Sequence, residues 1–181
     1  MKSNETIKPE DLQVRMHVDF FKKTQDAIDR GFYLEAIFRE YATIEARLEV
    51  IMGILGAPCN KNAEDEKRRK VEISTRIECL KGSLKNVHSI GKSNLTPEFL
   101  KRLDKWRDAR NRIVHGFYKN ELLYGERTQQ NGKLAKDGFL LARTLYNEAK
   151  RLRRYLRSHP DVVLPVVVCR EQQDTVKCMM R

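Results

Sequence analysis

Apolar residues recur at helical spacing through most of this chain, and glycine or proline stands where the recurrence stops. A stripe of period 3.6 has to be buried against another such stripe, so the pattern restricts the chain to helices packed on helices. The first stripe, Glu10 to about Arg30, carries Val14, His17, Val18, Phe21 and Ile28 between Pro9 and Gly31. Proline suits a helix's first turn and glycine the residue beyond its last. The second, about Phe32 to Leu55, carries Leu34, Ile37, Phe38, Tyr41, Leu48, Ile51, Met52 and Leu55 ahead of Gly56-Ala57-Pro58. The third, about Val71 to Ile90, carries Ile73, Ile77, Leu80, Leu84 and Val87, and Gly91 closes it. Thr96-Pro97-Glu98 reads as an N-cap followed by proline at the first helical position. The helix it opens, within about Leu95 to Tyr118, buries Phe99, Leu100, Leu103, Trp106, Ile113, Val114 and Phe117. A fifth, about Gly138 to Ser158, buries Leu141, Leu145, Ala149, Leu152 and Leu156. The expected fold is all-α, an antiparallel bundle of four to five helices. Before the fifth helix the period fades, and Asn131-Gly132 is a turn signal, so a short β-hairpin between Glu121 and Lys136 is also expected.

The length of 181 residues suits one domain. Residues 10–159 would form it, flanked by a disordered N-terminus at 1–9 and an arm and tail from Pro160. A net charge of +11 favours an anionic partner, nucleic acid before others. No apolar core follows Met1, and the run Val162 to Cys169 is broken by Pro165, so neither a secretory signal nor a membrane span is expected. Cys59, Cys79, Cys169 and Cys178 form no pair at metal-ligand spacing. A Cys-only metal site is not expected, a disulfide framework is not required at this size, and a reduced cytoplasmic protein follows. The mixed-sign connector Asn60 to Lys70 reads as solvated surface.

Two charges stand where apolar residues belong. Glu45 interrupts the second helix's stripe, one turn from Tyr41 and Leu48, and Arg110 interrupts the fourth's, in line with Trp106 and Ile113. Burying a lone charge is very costly, so the economical expectation is that Glu45 and Arg110 meet. His115 lies about 140° around the helix from Arg110. The two serve one site only if the arginine reaches around, the helix distorts, or a second copy supplies the missing side. His17 reads as a core or interface histidine, His88 and His159 as surface residues, and Trp106 and Tyr41 as packing. Opposite the fifth helix's apolar side stand Arg143, Lys150, Arg153, Arg154 and Arg157, either a solvated face or an electrostatic track for a phosphate backbone.

Arginine and histidine close together suit phosphodiester chemistry. RNA carries its own nucleophile, the 2′-hydroxyl; cleavage needs a base for its proton, an acid for the leaving 5′ oxygen, and donors for the phosphoryl oxygens. Histidine suits the first two tasks and arginine the third. The run Arg110-Asn111-Arg112-Ile113-Val114-His115 resembles the R-x4-6-H signature of HEPN domains, in its R-N-x-x-x-H form, late in a helical bundle. That resemblance implies an all-α domain that dimerises with its motif helices around a shared cleft. It also implies metal-independent, cofactor-free cleavage of single-stranded RNA, as in toxin–antitoxin and phage-defence effectors, with a cognate antitoxin or inhibitor protein as a further partner. Arg110 and His115 would then be catalytic, with Asn111, Glu45 and Tyr118 supporting them, and Arg112 would join the fifth helix's cations in holding RNA. One departure concerns the tyrosine that commonly follows the histidine by two positions in one subgroup: here that position is Phe117, and the tyrosine is Tyr118. The rival expectations are a catalytically silent module that binds nucleotide, RNA or protein within a larger defence complex, and a plain bundle in which the motif is coincidence.

Overall fold

The computed structural model describes residues 9–55, 72–89, 92–116 and 124–160. The side chain of His17, Tyr118, the charged connector and the arm beyond Pro160 lie outside these residues. The described residues form five helices: α1 (Pro9–Asp29), α2 (Tyr33–Ile54), α3 (Ile73–Ser89), α4 (Pro97–Gly116) and α5 (Tyr124–Ser158). No helix of the described residues is long and apolar enough to cross a membrane.

The helix ends follow the local chemistry. Gly31 takes φ +79°. There the Phe32 N–H reaches back to the Ala27 carbonyl and the Gly31 N–H to Ile28, which closes α1 with the paired bonds of a Schellman turn. At α4 the Thr96 hydroxyl accepts the Phe99 N–H at 3.1 Å, and Pro97 follows as the first helical residue.

The main departure is α5, which runs for 35 residues and takes in the segment where a hairpin is expected. Residues 121–123 lie outside the described residues, but from Tyr124 to Ser158 the chain is helical. Gly132, which reads as a turn signal, and Gly138, which reads as the start of the fifth helix, are contact residues within α5 instead. Gly132 lies under the Tyr33 ring, whose nearest atom would stand 3.1 Å from an added Cβ. Gly138 is tighter, because a Cβ there would meet the Trp106 indole at 2.7 Å and the Glu40 carboxylate. Close helix packing, which the sequence does not distinguish from turn propensity, is why glycine stands at both positions. Gly138→Ala is therefore expected to destabilise the fold by about 1–3 kcal/mol through overpacking, although alanine gains about 1 kcal/mol over glycine in a helix. At Gly132 only a ring edge must shift, so Gly132→Ala is expected to be near neutral. Denaturant unfolding of both variants checks the contrast.

These contacts also set direction. Tyr33 meets Gly132, Glu40 meets Gly138 and Arg47 lies over Tyr146, so α2 and α5 climb together. They form the most extensive helix pair, and it is parallel, unlike the neighbours expected from an antiparallel bundle. The α1–α2 hairpin turns back within three residues and is antiparallel. α4 descends along α5, since Arg102 pairs with Asp137 while the Trp106 indole donates to the Leu134 carbonyl at 2.9 Å. The loop before α4 is fastened to α5 by Glu148, which is buried and accepts from the Ser93 hydroxyl, the Asn94 backbone and side chain, and Arg151.

The core holds most of the residues assigned to it: Ile37, Leu48, Ile51, Ile77, Leu80, Leu100, Leu103, Trp106, Leu141, Leu145 and Leu152 are all buried. Phe38 is not; it is 49% exposed. Cys79, buried on α3, is disulfide-bonded, against the expectation of a fully reduced chain. The other three cysteines lie outside the described residues. A sufficient core makes a disulfide unnecessary for folding but does not prevent one.

Candidate functional site on α4

The outer face of α4 carries a shallow, open groove lined by Asp108, Asn111, Arg112 and His115. These residues lie on one side because 108, 111, 112 and 115 are three or four apart on a helix. His115 and Arg112 are exposed, and Asn111 is half-buried. Asp108 is engaged by Arg107 at 2.7 Å, which also reaches Asp104 at 3.1 Å, so much of its charge is offset. Among the described residues no three histidine, cysteine or acidic side chains are grouped to hold a metal ion.

Arg110 faces the other way. Its guanidinium lies 4.0 Å over the centre of the Tyr41 ring and 5.6 Å from that of Phe38. One Nη donates to the Asn111 Oδ1 at 3.1 Å, while its Nε has no hydrogen-bond partner among the described residues. A planar cation on an aromatic face is stabilised by roughly 0.5–2 kcal/mol, and that stacking occupies the place of the expected ion pair. Glu45 does not meet Arg110. The descending α4 sets Trp106 beside Glu40 and Arg110 beside Phe38 and Tyr41, one turn short of Glu45. Glu45 is half-buried and offers its backbone carbonyl to Arg76 at 2.8 Å.

The acid buried beside Trp106 is Glu40. It is 1% exposed, neither carboxylate oxygen has a hydrogen-bond partner among the described residues, and burial pushes its pKa up to about 9. Sequence reasoning missed it by following the α2 stripe through Phe38, Tyr41 and Glu45. The stripe that is buried runs through Ile37, Glu40, Ile44, Leu48 and Ile51. The signal was present, since Glu40 stands three residues after Ile37 and four before Ile44.

Arg110 and His115 are thus not neighbours within one protomer. Asn111 is the link: it lines the groove and also holds the Arg110 guanidinium. Arg112 joins His115 in the groove, but the α5 cations do not. The α4–α5 pairing carries His115 toward the start of α5, about 25 Å along the helix from Arg143 at 1.5 Å per residue. Arg143, Lys150, Arg153, Arg154 and Arg157 are all exposed, and Arg143 lies about 180° around α5 from Leu134, which faces α4. Groove and cationic face therefore look out from opposite sides of the bundle. Tyr118 lies outside the described residues.

No family model matches this chain, and neither a curated protein nor a solved structure does so.

Proposed function

We propose that the α4 groove is the active site of a metal-independent, HEPN-type endoribonuclease that acts on single-stranded RNA as a homodimer. The observation that carries the reading is the grouping of His115, Asn111 and Arg112 on one open face, with Arg110 tied to it through Asn111. The 2′-hydroxyl attacks the adjacent phosphorus, the P–O5′ bond breaks, and a 2′,3′-cyclic phosphate forms. One histidine takes the 2′ proton and another protonates the 5′ oxygen, so pairing two α4 helices supplies both from a single position. Arg110 of each copy would leave Tyr41 to meet the phosphoryl oxygens, guided by Asn111, with Arg112 holding the flanking backbone. Such an enzyme works in the cytoplasm, as a toxin or defence effector restrained by an antitoxin or inhibitor protein. In that compartment the Cys79 bond would be reversible.

One observation favours a second reading. Arg110 is seated on Tyr41, turned from the groove, and a site whose arginine stays there binds RNA or nucleotide without cutting it.

Incubating the purified protein with single-stranded RNA in excess EDTA separates the two readings. Cleavage leaving 2′,3′-cyclic or 3′-phosphate ends is the expected result. Intact RNA that remains bound would leave the silent module standing, and cleavage that requires added divalent metal would end the metal-independent mechanism.

A further inference from the structure

The outer face of α5 is not accounted for by the groove. Between Gly138 and Ser158 the helix has one carboxylate, Glu148, and it is turned inward to Ser93, Asn94 and Arg151. Elsewhere the exposed helix faces interleave signs, as in Glu35–Arg39, Glu78–Lys81 and Asp108–Arg107. The face bearing Arg143, Lys150, Arg153, Arg154 and Arg157 has no acidic residue of its own helix among them. Its field reaches the neighbouring helix. Arg47 of α2, stacked over Tyr146, is held below its ordinary pKa by burial first and by Arg153 next. A solvated face gains nothing from such crowding, whereas a polyphosphate would relieve it.

A second feature stands at the same end. The rings of Tyr155 and His159 stack at 4.2 Å with 15° between their planes, at the C-terminal end of the helix that also carries Arg154 and Arg157. The His159 ring is held by the Ser158 hydroxyl and the Tyr155 carbonyl, and the residue is exposed. An aromatic face fixed at the end of a cationic row is the combination that takes up unstacked bases while the charges follow the backbone.

We propose that the outer face of α5 is a second RNA-binding surface, separate from the groove, which holds the backbone of single-stranded RNA along Arg143 to Arg157 and stacks a base on His159. The choice of RNA over another polyanion rests on the ribonuclease reading; the cationic row and the stacked rings do not. The row spans about 21 Å of helix, so the surface engages several nucleotides at once.

The test is fluorescence anisotropy with a labelled 20-nucleotide uridine RNA, using His115→Ala protein so that the probe survives. Affinity should fall roughly 100-fold between 50 and 200 mM salt, as expected for four or five neutralised phosphates at about 0.7 in log–log slope each. Adding Arg143→Gln, Lys150→Gln and Arg154→Gln should reduce that slope by about 2. His159→Ala should weaken binding about five-fold or more, as loss of one stacked base does. An unchanged slope in the triple variant, tighter binding of a 20-base-pair duplex, or equal displacement of the RNA by polyglutamate would overturn the proposal. Binding with this pattern but no cleavage by the wild-type protein would remove the ribonuclease reading and leave this surface. Cleavage with binding indifferent to the α5 variants would do the reverse.

Discussion

His115→Ala should lower the rate of RNA cleavage by about a hundred- to ten-thousand-fold, the range that one positioned proton-transfer group supplies. It should do so at almost no cost in stability. His115 is exposed on the outer face of α4, and substitutions at such positions usually change stability by about 0.5 kcal/mol or less. That separation gives the measurement its meaning, because lost activity in a protein that unfolds at the same denaturant concentration cannot be assigned to damage in the core. Arg110→Ala should behave differently. It removes a half-buried guanidinium from Tyr41 and Phe38, and with it about 1–2 kcal/mol of stacking and packing. Arg110→Lys keeps the charge, but its compact ammonium neither stacks flat nor forks to a phosphate, so it should recover little of the activity. Should His115→Ala cleave as fast as wild type, the histidine has no part in the chemistry and the groove is not the active site.

The contrast between these two residues marks where sequence reasoning holds and where it stops. Helices were legible because their signals are local: the Thr96-Pro97 start, the Gly31 stop and the apolar spacing each act within a few residues. Gly132 reads as a turn and Gly138 as the start of a helix because a glycine required by a neighbouring helix resembles one that marks the end of an element. Only the passage of Tyr33 and Trp106 across α5 distinguishes the two cases. Likewise the 140° separation of Arg110 and His115 follows from helix pitch alone, but the partner of Arg110 depends on how far α4 descends along α2. One turn of difference in that register exchanges Glu45 for Tyr41, and an ion pair for a cation on an aromatic ring. The cations of α5 were identified from sequence; their position on the far side of the bundle from His115 required the α4–α5 packing.

Glu40→Gln should stabilise the protein, by an amount that grows with pH. In the fold the carboxyl holds its proton up to about pH 9, whereas in the unfolded chain it ionises near 4.5. Between those values the native state binds one proton more than the unfolded state, so stability falls as pH rises, by about 1.4 kcal/mol per pH unit. At pH 7 the penalty is on the order of 3 kcal/mol, and it is fully developed above about pH 9. Glutamine has nearly the same shape, leaves a comparable polar group unpartnered beside Trp106, and does not titrate. The difference in unfolding free energy between variant and wild type should therefore be small at pH 5 and widen steadily through pH 7 and 8.5. A constant difference over that range would mean that Glu40 is ionised, with a partner, in the folded protein. Because Glu40 precedes Tyr41, the same variant also separates two explanations for an acid that weakens its own fold. Cleavage retained in a more stable protein makes the cost purely structural. Cleavage lost, with Tyr41 and Arg110 intact, would mean that the neutral carboxyl helps set the platform on which Arg110 rests.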